Sequence, residues 1–246
     1  MSWESAAKEW ERLGRTDPYW AVISDDAYRA ETFSGERLAA FLKTGEDDVD
    51  RMWRTCRLVF GADFAPRRAL DFGCGVGRVA LPLARRVANV VATDAADSML
   101  SIARDVLARH GVGNVQLVKC DRELSGLDGP FDLVHSVLVL QHIPAGRGLW
   151  LTKRLVELAG RDGAVVLHVL YHNPYSRPAP VRFAHRLLHP FRGWFGRPPE
   201  IQMNEYSLNA VLKIVHDAGA RQVHVELTDH GGHLGATLFF RCGGAS

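Results

Sequence analysis

Leu70-Asp71-Phe72-Gly73-Cys74-Gly75-Val76-Gly77-Arg78 is the stretch on which the fold turns. It follows a short apolar run of strand character beginning at Arg68, and it opens a segment, 77–87, that places Leu81, Ala84 and Val87 on one helical face. Strand, glycine-rich turn and helix together make the βα unit of a nucleotide-binding sheet. Glycine there lets the backbone turn tightly and lets a ligand approach with no Cβ in the way. Such a loop alone does not select its ligand, but two details narrow it. The third glycine of a G-x-G-x-x-G fingerprint is replaced by Arg78, and the strand ends in Asp71. A pyrophosphate seated at the helix N-terminus would be repelled by that carboxylate. A ligand presenting an ammonium would instead be held by Asp71, directly or through water, in a charge-assisted hydrogen bond.

Outward from the loop, short β-rich runs alternate with helical segments, the pattern of βαβ units and a parallel sheet. The spacing predicts strands at 68–72, 89–93, 115–119, 131–136 and 163–170, with helices at 77–87, 97–110 and 147–160. A helix at 206–218 stopping at Gly219 and strands at 221–227 and 236–241 complete the set. His230-Gly231-Gly232-His233 reads as the tight turn of a closing hairpin. Ahead of the sheet, Trp3, Ala6, Ala7, Trp10 and Leu13 give an amphipathic helix stopped by Gly14, and Thr44 with Asp47 suggests the capping box of a helix at 45–60 ending at Gly61. Two regions follow: a helical cap at 1–65 and an α/β domain at 66–246, interrupted by a proline-rich insertion at 171–205.

Two further acids stand at strand ends. Asp94 lies 19 positions after Gly75, where an acid is expected on a nucleoside ribose; its alternative is to cap the following helix, a role open also to Asp97 or Ser98. Asp121 follows the strand at 115–119, where a carboxylate can accept the exocyclic amine of adenine or simply face solvent as a loop acid.

Taken together, the motif at Leu70 to Arg78, then Asp94, Asp121, Phe131-Asp132-Leu133-Val134-His135-Ser136 and Leu140-Gln141-His142-Ile143 resemble, in order and spacing, the motifs of class I S-adenosylmethionine-dependent methyltransferases. The resemblance is strong over 68–170 and looser over the closing strands. It implies a Rossmann-like, mostly parallel seven-stranded sheet in the order 3-2-1-4-5-7-6, helices on both faces, and S-adenosyl-L-methionine as cofactor. Tyr19, Asp71, Gly73, Cys74, Gly75, Gly77, Arg78, Asp94, Ala95, Met99, Asp121, Arg122, Ser136 and Gln141 are the expected cofactor contacts. The resemblance also implies an acceptor pocket at the same sheet edge, roofed by the N-terminal segment and the insertion, with Trp20, Phe33, His142, His168, Tyr171 and His172 as candidate acceptor contacts.

Methyl transfer is an in-line displacement for which the protein mainly supplies alignment and exclusion of water. A base is needed only where the nucleophile must lose a proton. His142 is the candidate, since histidine titrates near neutrality; its alternative is to hydrogen-bond a backbone group before Pro144. The apolar run Ser136 to Leu140 suits a small-molecule acceptor, methylated on oxygen or nitrogen, such as a secondary metabolite, lipid precursor or sugar conjugate.

Nucleic acid is disfavoured, because no base-gripping NPPY-type motif follows the fourth strand and the net charge of the 246 residues is only +2. The basic, aromatic stretch 177–197 could touch a membrane, but its prolines favour a lid over an interfacial helix. No apolar run is long enough to span a bilayer and the start lacks a signal-peptide pattern, so the expectation is a cytoplasmic protein. The four cysteines form no CxxC pair and no carboxylates cluster, so no metal is expected. The competing readings are a same-fold protein that binds the cofactor without methylating, a membrane-associated methyltransferase, and a nicotinamide-dependent oxidoreductase, for which Asp71 and Arg78 are poorly placed.

Overall fold

The computed structural model describes residues 3–174 and 201–243. Its sheet has the order β3-β2-β1-β4-β5-β7-β6. The strands are β1 (Arg68–Phe72), β2 (Asn89–Asp94), β3 (Val115–Lys119), β4 (Phe131–Ser136), β5 (Ala159–His172), β6 (Val223–His230) and β7 (His233–Arg241). β1 to β5 pair in parallel, and β7 runs antiparallel to both β5 and β6. This is the Rossmann-like order expected from the sequence. Because β1 pairs with β2 on one side and β4 on the other, a crevice opens at the C-terminal ends of these strands.

Strand alternation divides the core into two layers. Leu70, Val134, Val165 and Leu167 face α6 (Ala145–Leu158), through Leu151 and Leu155, and α7 (Leu208–Asp217), through Val211. Ala69, Leu133, Ala164 and Val166 face the opposite way, onto Val49, Met52 and Cys56 of α3 (Gly35–Phe60) and Leu83 of α4 (Ala80–Ala84). α1 (Trp3–Thr16) and α2 (Pro18–Val22) pack beside α5 (Asp97–Arg109) in a third cluster around Leu13, Trp20, Phe41 and Met99.

Several boundaries differ from the sequence expectation, each for a packing reason. α1 passes through Gly14, which is no stop: a Cβ there would stand 2.2 Å from Ser98 Oγ, so glycine permits α1 to lie against α5. α3 starts at Gly35 under a Ser34 cap, and Thr44 sits mid-helix with its hydroxyl donating to Phe41 O at 2.6 Å. Gly45, within that helix, lies against the glycine loop, where a Cβ would be 2.1 Å from Arg78 O. α4 shrinks to five residues because Gly77 is left-handed (φ 85°) and Pro82 has no N–H to give. Neither Asp97 nor Ser98 caps α5; Glu11 of α1 reaches across instead, its Oε2 accepting from Ser98 N at 3.1 Å.

The closing hairpin is as expected, with His230 opposite His233 and Gly231 and Gly232 both at positive φ. Of the expected insertion, Tyr171 and His172 end β5, and residues 175–200, which hold the basic stretch 177–197, lie outside the described residues. Asn204 N donates to Gln141 O at 2.6 Å and Tyr206 N to Leu170 O at 2.7 Å. The two ends of the insertion meet, with Asn173 N donating to Glu205 Oε1 at 2.6 Å.

Candidate active site

The glycine loop takes its shape from three left-handed glycines, Gly73, Gly75 and Gly77, with φ of 79°, 52° and 85°. Gly73 is also sterically fixed, since a Cβ would lie 2.4 Å from Val139 Cγ2. Gly73 N and Cys74 N both donate to Thr93 O, at 2.8 and 2.9 Å, which ties the loop to the end of β2. Asp94 completes the tie: Oδ2 accepts from Gly75 N at 3.0 Å and Oδ1 from Ala96 N at 2.9 Å. Burial pushes the Asp94 carboxyl up to about 6, against the backbone N–H groups that favour its charged form.

Beside this loop lies a largely apolar cavity. Of the residues singled out in the sequence, Asp71, Gly73, Cys74, Gly75, Arg78, Asp94, Ala95 and His142 line it. Asp71 is buried; its Oδ1 stands 2.9 Å from His135 Nδ1, and its Oδ2 has no hydrogen-bond partner. Arg78 also lines the cavity, but its Nη1 donates to Asp48 Oδ2 at 2.6 Å and Thr44 Oγ1 at 3.2 Å. The loop side of the cavity therefore offers carboxylates whose charge no nearby cation has claimed. That suits a cationic, hydroxyl-bearing ligand and not a phosphate.

The other candidates stand outside the lining. Gly77 packs behind the loop against Ala103. Asp121 is exposed and its carboxylate is taken by Ser125, through N–H and hydroxyl, which hold it below the usual carboxylate range. Arg122 is paired at the surface with Glu4 and Glu123. Met99 belongs to the α5 core, Ser136 is buried in β4, and Gln141 faces inward with its carbonyl bound by Asn204. Tyr19 and Phe33 stack on each other at 3.9 Å, while Trp20 is buried under Arg29 at 3.6 Å. His168 is buried against Thr228 Oγ1 at 3.2 Å; Tyr171 and His172 lie at the end of β5.

His142 ends a 3-10 turn, Leu140–His142, and its Nδ1 is 2.9 Å from Gln202 O. A carbonyl only accepts, so Nδ1 carries the hydrogen and Nε2 keeps its lone pair. Burial pushes the ring down to about 4, outweighing the carbonyls of Gln202 and Leu138, so it is neutral at physiological pH. The edge of Trp10 meets it at 5.0 Å between ring centroids.

Sequence reasoning missed much of the rest of the wall, including Trp3, Ala6, Ala7 and Trp10 of α1, Val22 of α2, His135, Cys120 and Leu138. It also missed Tyr206, whose hydroxyl lies 2.6 Å from Leu140 O and 2.8 Å from Ile143 O and so braces the turn carrying His142. The available signal was the apolar face of α1, which was read as a helix but had no partner assigned. Among the described residues no group of three or more His, Cys, Asp or Glu is placed to hold a metal ion.

The family model of the methyltransferase domain matches residues 69–163, from the start of the loop strand to the beginning of the paired part of β5. That match covers well under half of the 246 residues. Curated relatives match over limited stretches. The chain is 37% identical over 65 residues to a 23S rRNA (uracil(1939)-C(5))-methyltransferase of Alkalilimnicola ehrlichii, covering 26% of this chain and 15% of that one. It is 30% identical over 114 residues to a ubiquinone biosynthesis O-methyltransferase of Pseudomonas aeruginosa, covering 46% and 48%. The chain thus spans about half or less of the length of these relatives. Over the whole chain the likeness is one of fold. The crystal structure of magnesium protoporphyrin IX methyltransferase from Synechocystis with bound S-adenosylhomocysteine covers 98% of this chain and 99% of its own, with a TM-score of 0.66 at 19% identity.

Proposed function

We propose that the protein is an S-adenosylmethionine-dependent methyltransferase acting on oxygen or nitrogen of a small, largely apolar organic acceptor. The observation that carries this reading is the pairing, in one cavity, of an acidic glycine loop with an apolar wall: Asp71 with a vacant Oδ2 and Asp94 on one side, Trp3, Trp10, Leu138 and neutral His142 on the other. Asp71 would receive the ammonium of the cofactor and Asp94 its ribose hydroxyls. The cofactor supplies a methyl group on a sulfonium, with a neutral thioether as leaving group. The protein's own part is alignment and dryness, and α1 walls the cavity with indole and methyl groups that exclude water. Nε2 of His142, which keeps its lone pair in the neutral ring, would take a proton from an acceptor hydroxyl. The ubiquinone-biosynthesis relative supports an oxygen acceptor. No helix among the described residues is long and apolar enough to cross a membrane.

The test is transfer of a labelled methyl group from S-adenosylmethionine to a panel of phenols, carboxylic acids, amines and thiols, with products identified by mass. Transfer to an oxygen or nitrogen acceptor is expected. Tight S-adenosylhomocysteine binding with no transfer to any of them would instead favour a cofactor-binding protein without methyltransferase activity, and binding of NAD(H) in place of S-adenosylhomocysteine would overturn the reading.

A further inference from the structure

His135 stands between Val134 and Ser136 near the C-terminal end of β4, where nothing in the strand pattern asks for an imidazole. Asp71 and His135 are register partners of the parallel β1–β4 pair, so both side chains leave the same face of the sheet at the strand ends. Both line the cavity, and they are 2% and 7% exposed. A carboxylate only accepts, so in the 2.9 Å contact His135 Nδ1 donates to Asp71 Oδ1. The terminal torsion of an aspartate is broad, so an untied carboxylate can present either oxygen, or neither, to a ligand. Here one oxygen is tied and the other, Oδ2, is buried with no partner. Arg78, an arginine of the cavity wall, directs its Nη1 to Asp48 and Thr44 and not to Asp71.

We propose that His135 is a positioning residue of the cofactor site: by holding Asp71 Oδ1 it fixes the carboxylate plane and presents Oδ2 to the ammonium of the amino-acid end of S-adenosylmethionine. The proposal rests on the reading above that Asp71 receives that ammonium, and adds that Asp71 does so only as one half of a pair. Without His135 the acid would keep its place in β1 and lose its orientation, so the effect belongs to the amino-acid end of the ligand and not to its adenosine.

Calorimetric titration with two probes separates these. S-adenosylhomocysteine carries the amino-acid end; 5'-methylthioadenosine shares the adenosine and the thioether and lacks it. His135→Ala is expected to weaken S-adenosylhomocysteine by about tenfold, the scale of a charge-assisted hydrogen bond, and to leave methylthioadenosine within about a factor of two. His135→Asn, whose side-chain N–H can replace Nδ1–H, is expected to restore most of the loss. Equal weakening of both probes would mean that His135 only supports the fold, and unchanged S-adenosylhomocysteine affinity would mean that Asp71 needs no positioning; either result overturns the proposal. If the alanine variant does not fold, His135→Phe, which fills the space without an N–H donor, takes its place in the same two-probe titration, with the same expected selective loss and the same two overturning results. Asp71→Asn tests the underlying reading separately. No change there removes Asp71 as the ammonium site, whereas a loss there beside an unaffected His135→Ala removes only the role of His135.

Discussion

At the scale of single residues, charge and its cost decide most of what the site can do. Asp94 spends hydrogen-bond capacity on Gly75 N and Ala96 N, yet burial still pushes its carboxyl up to about 6. A ligand hydroxyl donating to it favours the ionised form, so S-adenosylhomocysteine affinity should fall as pH drops through about 6 and level off above it. Calorimetry across pH 5 to 8 measures this directly, and Asp94→Asn should flatten the dependence while weakening affinity about tenfold. His142 makes the opposite demand, because its ring is neutral down to about 4. His142→Ala should cut turnover by roughly 10² to 10⁴ if the ring serves as base, with S-adenosylhomocysteine affinity retained. The corresponding break in the wild-type pH–rate profile belongs near 4 and not near 6.5; a profile of the alanine variant superimposable on the wild type would remove the residue from the chemistry. The glycine loop, Asp71 and Asp94 were legible in the sequence because they stand at recognisable offsets in one strand–turn–helix pattern, Asp71 just before the loop and Asp94 19 positions after Gly75. His135 was not, since its partner lies 64 positions away on a different strand.

At the scale of elements, the structure turns on close approaches that a helix or strand pattern does not announce. Gly14 reads as a helix stop and Gly45 as the first residue of a helix, and both prove to be contact points inside a continuous helix. An exposed helical glycine gains about 0.5–1 kcal/mol on replacement by alanine. Gly45→Ala should instead lower the thermal midpoint, because its Cβ would stand 2.1 Å from a backbone oxygen of the glycine loop, and Gly35→Ala, with nothing within 4 Å, is the control that should not. Thermal melts of the two variants decide whether α3 supports the loop. The turn Leu140–His142 has a comparable brace in Tyr206, whose hydroxyl faces two of its carbonyls and whose ring leaves no room for a Cβ at Gly148, 1.8 Å from the oxygen. Tyr206→Phe should cost about 1–3 kcal/mol and lower turnover more than cofactor affinity, read by denaturant unfolding and by separate kcat and Kd measurements. Strand order and helix alternation were readable from local periodicity. The bracing of the acceptor side was not, because it comes from residues 60 to 66 positions further along the chain.

At the scale of the whole molecule, buried ionisable groups set how the fold meets acid. His168, 1% exposed, is pushed down to about 4 by burial, with His230 and His142 adding to it, and His142 lies equally low. Both folded values are below the unfolded value of 6.5, so the stability they allow is present in full above 6.5 and is lost as pH falls from there toward 4. Asp94 acts in the reverse sense, since the cost of its charge is relieved as pH drops from about 6 toward 3.8. Two histidines against one aspartate leave a net loss. The thermal midpoint should therefore fall between pH 6.5 and 4, and His168→Gln, uncharged throughout, should remove roughly 3 kcal/mol of that dependence. A midpoint that holds steady over this range in the wild type would show that the histidines find partners when charged.

The neck of the insertion has a separate consequence. Asn173 and Glu205 are joined by a hydrogen bond, and Tyr206 then returns the chain to Leu170 of β5. Whatever stretch lies between those anchors begins and ends at almost one point. The entropic cost of changing its length rises only with the logarithm of that length, about 0.6 kcal/mol for each doubling. Length is therefore cheap to change there, but Gln202 and Asn204 at its C-terminal end hold His142 and Gln141, so that end is bound to the site and its identity is not interchangeable.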